Sequence, residues 1–134
     1  MSSNMELFNE ATASILSRLY EKFPNRMGAL KAEEISAGAS PEELNVFGAT
    51  AEFLLDEGFI VGGSPNAQGK FISNVRLTSK GLAVLKSTPT SLDKNNQAPF
   101  GETLKNVLGS GSMQAMNTII GELLSAYIKY QTQT

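Results

Sequence analysis

The chain has 134 residues, 41% of them hydrophobic and 18% charged, with 11 Lys and Arg against 13 Asp and Glu for a formal net charge of -2. This is the composition of one folded domain with a modest appendage, too apolar for wholesale disorder and without an overall attraction to nucleic acid or anionic lipid. The complete lack of Cys and His excludes disulfides, thiolate and imidazole nucleophiles, Cys/His zinc sites and every triad that uses a histidine base.

The first ten residues lack the basic start and apolar core of a signal peptide. The longest uncharged run, Asn106 to Gly121, is too short and too rich in Asn, Gln, Ser and Gly to span a bilayer. A cytoplasmic protein is therefore expected, with no catalytic residues, no cofactor and no metal.

Ser3 and Glu6 have the spacing of a capping box, in which hydroxyl and carboxylate each satisfy an orphan amide, so a first helix is expected from Ser3. Its apolar residues Phe8, Ala11, Ile15, Leu19 and Phe23 recur at three- and four-residue steps, widened by Leu16 and Tyr20, and Pro24 ends it. Asn25 to Leu30 is expected to be a connection with a short extended piece at Ala29 and Leu30. Lys31 to Ala37 reads as a short second helix anchored by Ile35.

Ser40, Pro41 and Glu43 are the clearest start signal in the chain, with Ser at N-cap, Pro at N1 and Glu at N3 of a third helix. Leu44, Phe47, Ala51, Leu54 and Leu55 form its core face, and Gly58 is placed to cap its end. Phe59 to Val61, a Gly/Ser/Pro/Asn-rich turn, and Phe71 to Leu77 then read as a β-hairpin. Strict alternation puts Phe71, Ser73, Val75 and Leu77 on one face and Ile72, Asn74 and Arg76 on the other. Thr78 caps a fourth helix through Leu82, Val84 and Leu85.

Leu54, Gly58 and Ile60, followed by Leu77, Thr78, Gly81 and Leu85, resemble the "LxxxGxI … LTxxGxxxL" phrasing of bacterial winged-helix proteins, over roughly residues 5 to 86. The resemblance implies a mainly α fold with a small β-hairpin, an α+β winged helix over residues 1–86. Most such proteins regulate transcription, reading DNA with the third helix and the wing; a minority bind proteins instead. Dimerisation through helices outside the winged core is also common among them.

Ser87 to Pro99 reads as a polar linker and residues 100–134 as a C-terminal helical tail. Phe100, Leu104, Val107 and Leu108 form a short amphipathic helix, interrupted at Gly109 to Ser112. A final helix capped by Ser112 then carries Met113, Met116, Ile119, Ile120, Leu123, Leu124, Tyr127 and Ile128 over about half its circumference. Such a stripe must be covered, either by a second copy or by the winged core. Met113, Met116, Ile120, Leu123, Leu124 and Tyr127 are the expected contact residues of a homo-oligomer, with a dimer favoured over a membrane surface.

Between Lys31 and Lys70 there is no Lys or Arg, whereas Glu33, Glu34, Glu42, Glu43, Glu52, Asp56 and Glu57 all lie there. The third helix is therefore expected to expose Glu42, Asn45, Ala49, Glu52 and Asp56, a face that repels phosphate and in which only Asn45 suits an adenine edge. Its flank of Val46, Thr50 and Phe53 is the expected surface for a protein partner, the alternative being that the C-terminal helix or a second subunit covers it. The alternative is a DNA-binding regulator that uses Asn45 together with Lys70 and Arg76 of the wing. Gly63 to Lys70 has the wrong glycine spacing and the wrong setting for a phosphate loop, and the adjacent acid pairs do not converge for acid–base or metal chemistry.

Overall fold

A computed structural model describes residues 3–32, 40–63, 71–90 and 98–132. The elements in chain order are α1 (Asn4–Lys22), β1 (Met27–Lys31), α2 (Pro41–Glu57), β2 (Ile60–Val61), β3 (Phe71–Leu77), α3 (Ser79–Lys86), α4 (Phe100–Ser110) and α5 (Met113–Thr132). The protein is mainly helical with a small antiparallel sheet, whose described strands lie in the order β1-β3-β2. Of the expected second helix, residues 33–37 lie outside the described residues and Lys31 belongs to β1.

Helix starts form where the side chains can satisfy the first free amides. Ser3 Oγ accepts from Glu6 N–H at 3.2 Å while Glu6 accepts from Ser3 N–H at 3.0 Å. Ser40 and Glu43 repeat the same reciprocal pair at the start of α2. Thr78 Oγ1 accepts from Gly81 N–H and Ser112 Oγ from Ala115 N–H, which starts α3 and α5. Gly58 ends α2 at φ 85°, a left-handed conformation that costs glycine little.

The extended piece expected at Ala29 and Leu30 is part of a longer, five-residue edge strand, with Met27 opposite Val75, Ala29 opposite Ser73 and Lys31 opposite Phe71. Its exposed Gly28 and Ala29 leave no alternating pattern to read, and only Leu30 points fully into the core. On the other edge, Val61 pairs with Arg76, but Gly63 N–H donates to Ser73 O at 2.9 Å, so one residue of β3 is left over. This β-bulge sits at Asn74, whose φ is 53°. A Cβ on Gly62 would lie 2.8 Å from the Asn74 carbonyl oxygen, so that position accommodates only glycine. The bulge shifts the alternation by one: Ile72, Val75 and Leu77 all face inward, whereas strict alternation had placed Ile72 outward.

Helix α1 is the hub of the molecule. Every residue from Ala11 to Ser17 is buried, not only the expected apolar stripe. Helices α4 and α5 pack on another side of α1, where Ser14 and Ser17 face Met116 across a cleft, Asn9 Nδ2 donates to Asn117 Oδ1 at 2.7 Å and Gly101 lies close against Tyr20. Phe100, Leu104, Met116, Ile119, Ile120, Leu123 and Tyr127 belong to the same buried cluster as Ile15, Leu16, Leu54 and Leu77.

The stripe of α5 is thus covered by its own chain. Met116, Ile120, Leu123 and Tyr127, expected at an oligomer contact, are buried within the chain, and Met113 and Leu124 are half-buried. Self-association through the buried four would require α5 to leave the core. The reason is a packing match, since both α4 and α5 lie against α1. The linker ends are also tied, since Phe100 N–H donates to Ser87 O at 2.8 Å. Residues 91–97 of that linker lie outside the described residues.

Tyr127 makes the most specific of these contacts. Its ring stacks on Phe59 with centroids 3.8 Å apart, and its hydroxyl donates to the Glu57 carbonyl at 2.6 Å. Glu57 O is one of the last carbonyls of α2, which have no partner within the helix, so α5 caps α2 from outside. Among the described residues no helix is long and apolar enough to cross a membrane.

Candidate protein-interaction surface

The solvent-facing side of α2 carries Glu42, Asn45, Ala49, Glu52 and Asp56, and all five are exposed. Helical geometry explains the grouping, because steps of three, four and seven residues return to one face. Glu43, by contrast, is turned back to its own helix start, where its carboxylate accepts from Ser40 N–H. That use accounts for one member of the Glu42/Glu43 pair without any acid–base chemistry.

Beside this acidic row runs an apolar strip. Val46 is half-buried, and Phe53, two turns later, is 37% exposed. Phe8 from the start of α1 meets Phe53 edge-on, with ring centroids 5.5 Å apart and planes at 79°. Edge-to-face pairs of this kind fix ring orientation and add about 0.5–1.5 kcal/mol beyond area burial. Met5, one turn before Phe8, is 64% exposed. Phe8, expected in the α1 core stripe, is half-buried and packs against the core just ahead of the fully buried stretch of the helix. Met5 has only one sequence signal, its three-residue offset from Phe8.

Thr50 does not belong to this surface. It is 2% exposed, turned toward the interior, and its hydroxyl has no hydrogen-bond partner among the described residues. The correction follows from the helix: Thr50 lies about 120° from the centre of the solvent face, on the side of the buried Phe47 and Leu54.

The residues expected to contact DNA are not brought together on α2. Asn45 is exposed on the acidic face, Lys70 lies outside the described residues, and Arg76 is half-buried on β3 opposite Val61. The Nε of Arg76 is buried with no hydrogen-bond partner among the described residues. Arg26, which donates from Nη1 to the Asn74 carbonyl at 2.8 Å, braces the bulge next to it.

An open cleft of about 610 Å³ lies elsewhere, between α1 and the α4–α5 corner, with Ser14, Ser17, Arg18, Glu21, Lys105 and Met116 among its walls. Two of its charged groups are engaged with each other: Lys105 donates to Glu21, and this hydrogen bond and charge hold the Glu21 carboxyl below its ordinary value and the Lys105 ammonium above its own. Among the described residues no group of three or more acids is placed to hold a metal ion. No known protein family, curated protein or solved structure matches this chain.

Proposed function

We propose that this chain is a non-catalytic winged-helix module, regulatory in role, that engages a protein partner through the exposed flank of α2 and the adjoining start of α1. The helix–strand–helix–strand–strand order with β3 central in the sheet supports the winged-helix reading. The observation that carries the function is the surface of α2 itself: Glu42, Glu52 and Asp56 stand in the open beside Phe53, Val46 and Phe8, with no base on the helix. A helix that enters the major groove of DNA must face phosphates, and three exposed carboxylates oppose that approach.

The alternative is a transcription regulator that touches DNA through the wing. The eleven bases all lie outside residues 32–69, where only six of the thirteen acids remain, and Arg26 and Arg76 flank the bulge of β3. This distribution supports a basic surface at the sheet end of the molecule. Dimer formation through α5 is not part of either reading, because its central apolar residues fill the chain's own core.

The two readings separate in a fluorescence anisotropy titration against mixed duplex DNA between about 50 and 200 mM salt. The protein-binding reading expects no affinity that collapses with salt. Salt-sensitive binding that weakens on Arg76→Ala would put the DNA reading in its place.

A further inference from the structure

The charge of the surface around Phe53 narrows the partner's chemistry. Val46 and Phe53 are seven residues apart, about 10 Å along the helix axis, which is the span of two turns of a docked helix. Phe8 and Met5 extend the strip sideways onto α1. Glu42 and Asp56 run along one side of it, Glu52 stands behind them and Glu57 lies on the other side, all exposed. The adjoining α1 contributes no base before Arg18.

Three classes of occupant meet this rim differently. A second copy of the chain docked by the same surface would set these carboxylates against their own equivalents, and like charges placed opposite one another are repelled. Duplex DNA would meet them with phosphates. A segment with an apolar stripe bordered by Lys or Arg would cover Phe53 and Val46 and place a cation against each carboxylate, which complements both features at once.

Resting on the protein-binding reading above, we propose that the partner of this surface is a basic amphipathic helix, seated on Val46, Phe53 and Phe8 and held by Glu42, Glu52 and Asp56. The acids set orientation and encounter rate, and the aromatic pair supplies the anchor. Affinity therefore falls with added salt without vanishing, because only the charged part is screened.

The experiment uses the full chain and synthetic peptides. A fluorescein-labelled Leu/Lys peptide with Leu at helical spacing of three and four residues is the probe. A peptide of the same composition with the Leu scattered around the helix and a Leu/Glu peptide of the original spacing are its controls. The expected result is binding of the probe at least about tenfold tighter than either control, with amide shifts at Val46, Ala49 and Phe53. Glu52→Lys with Asp56→Lys, both at exposed positions, should weaken it about tenfold while leaving the thermal midpoint unchanged. Equal binding of the scattered peptide, or no binding of any peptide, overturns the proposal. Preferred binding of the Leu/Glu peptide at the same residues overturns the basic chemistry but supports the surface. Salt-sensitive DNA binding with shifts at Arg76 and Lys80, and none on α2, overturns both.

Discussion

Tyr127 offers a direct measure of whether α5 is part of the folded core. Two substitutions separate its contributions. Tyr127→Phe keeps the ring stacked on Phe59 and removes only the hydroxyl that donates to Glu57 O. The Glu57 carbonyl lies at the exposed end of α2, where water replaces part of the loss, so the cost is about 1 kcal/mol. Tyr127→Ala also removes a ring that is 2% exposed, and deleting a buried aromatic side chain costs about 3–5 kcal/mol. For a chain of this size 1 kcal/mol shifts Tm by about 4 °C, giving drops of about 4 °C and more than about 12 °C. The assay is thermal and urea unfolding followed by far-UV circular dichroism, with Ile128→Ala as the control because Ile128 is 60% exposed on the same turn. A Tyr127→Ala midpoint no lower than that of the control would refute the docking of α5 and return its stripe to an oligomer interface.

Removal of residues 100–134 should abolish cooperative unfolding and give aggregates in size-exclusion chromatography. It strips Leu104, Ile119, Ile120 and Leu123 from the core, each worth about 1.5–3 kcal/mol of burial against a typical net stability of about 5–15 kcal/mol. Thr50→Val replaces a buried hydroxyl that has no partner among the described residues with a methyl group of similar shape, and should stabilise by about 1 kcal/mol in urea unfolding; a loss of stability would show that the hydroxyl is satisfied. The Glu21 carboxyl should titrate below its ordinary value in carboxyl-detected NMR and move back toward it on Lys105→Ala, since the Lys105 hydrogen bond is the main cause of the shift. The sign follows from the lowered value: the stabilisation from Glu21 is present above the ordinary carboxylate range and lost as pH falls through the lowered one. The solvent exposure of the pair keeps that contribution small.

Local chemistry was readable because its causes are local. Ser3 with Glu6, Ser40 with Glu43, Thr78, Ser112 and Gly58 each act on amides or carbonyls within a few residues, and all five stand where spacing alone had put them. The acidic face of α2 was equally legible, because helical periodicity and composition together place Glu42, Glu52 and Asp56 on one side. Strand β1 was legible only as the short extended piece at Ala29 and Leu30; its full length from Met27 to Lys31 is held by pairing with β3 and not by any pattern of its own. The bulge at Asn74 also escapes a two-residue alternation, which assumes that no residue is left over.

The amphipathic nature of α5, the position of each cap and the absence of bases across α2 were determined by the sequence alone. What the stripe of α5 covers was decided only by tertiary structure. An apolar face specifies that it must be buried, but not against what, because the hydrophobic effect is non-directional. The complementary surface on α1 includes Asn9, Ser14 and Ser17, polar residues that do not announce an interface in sequence. Their meaning appears only when α4 and α5 close over them and Tyr127 reaches the last carbonyls of α2, leaving Phe53 and its acidic rim as the surface that faces outward.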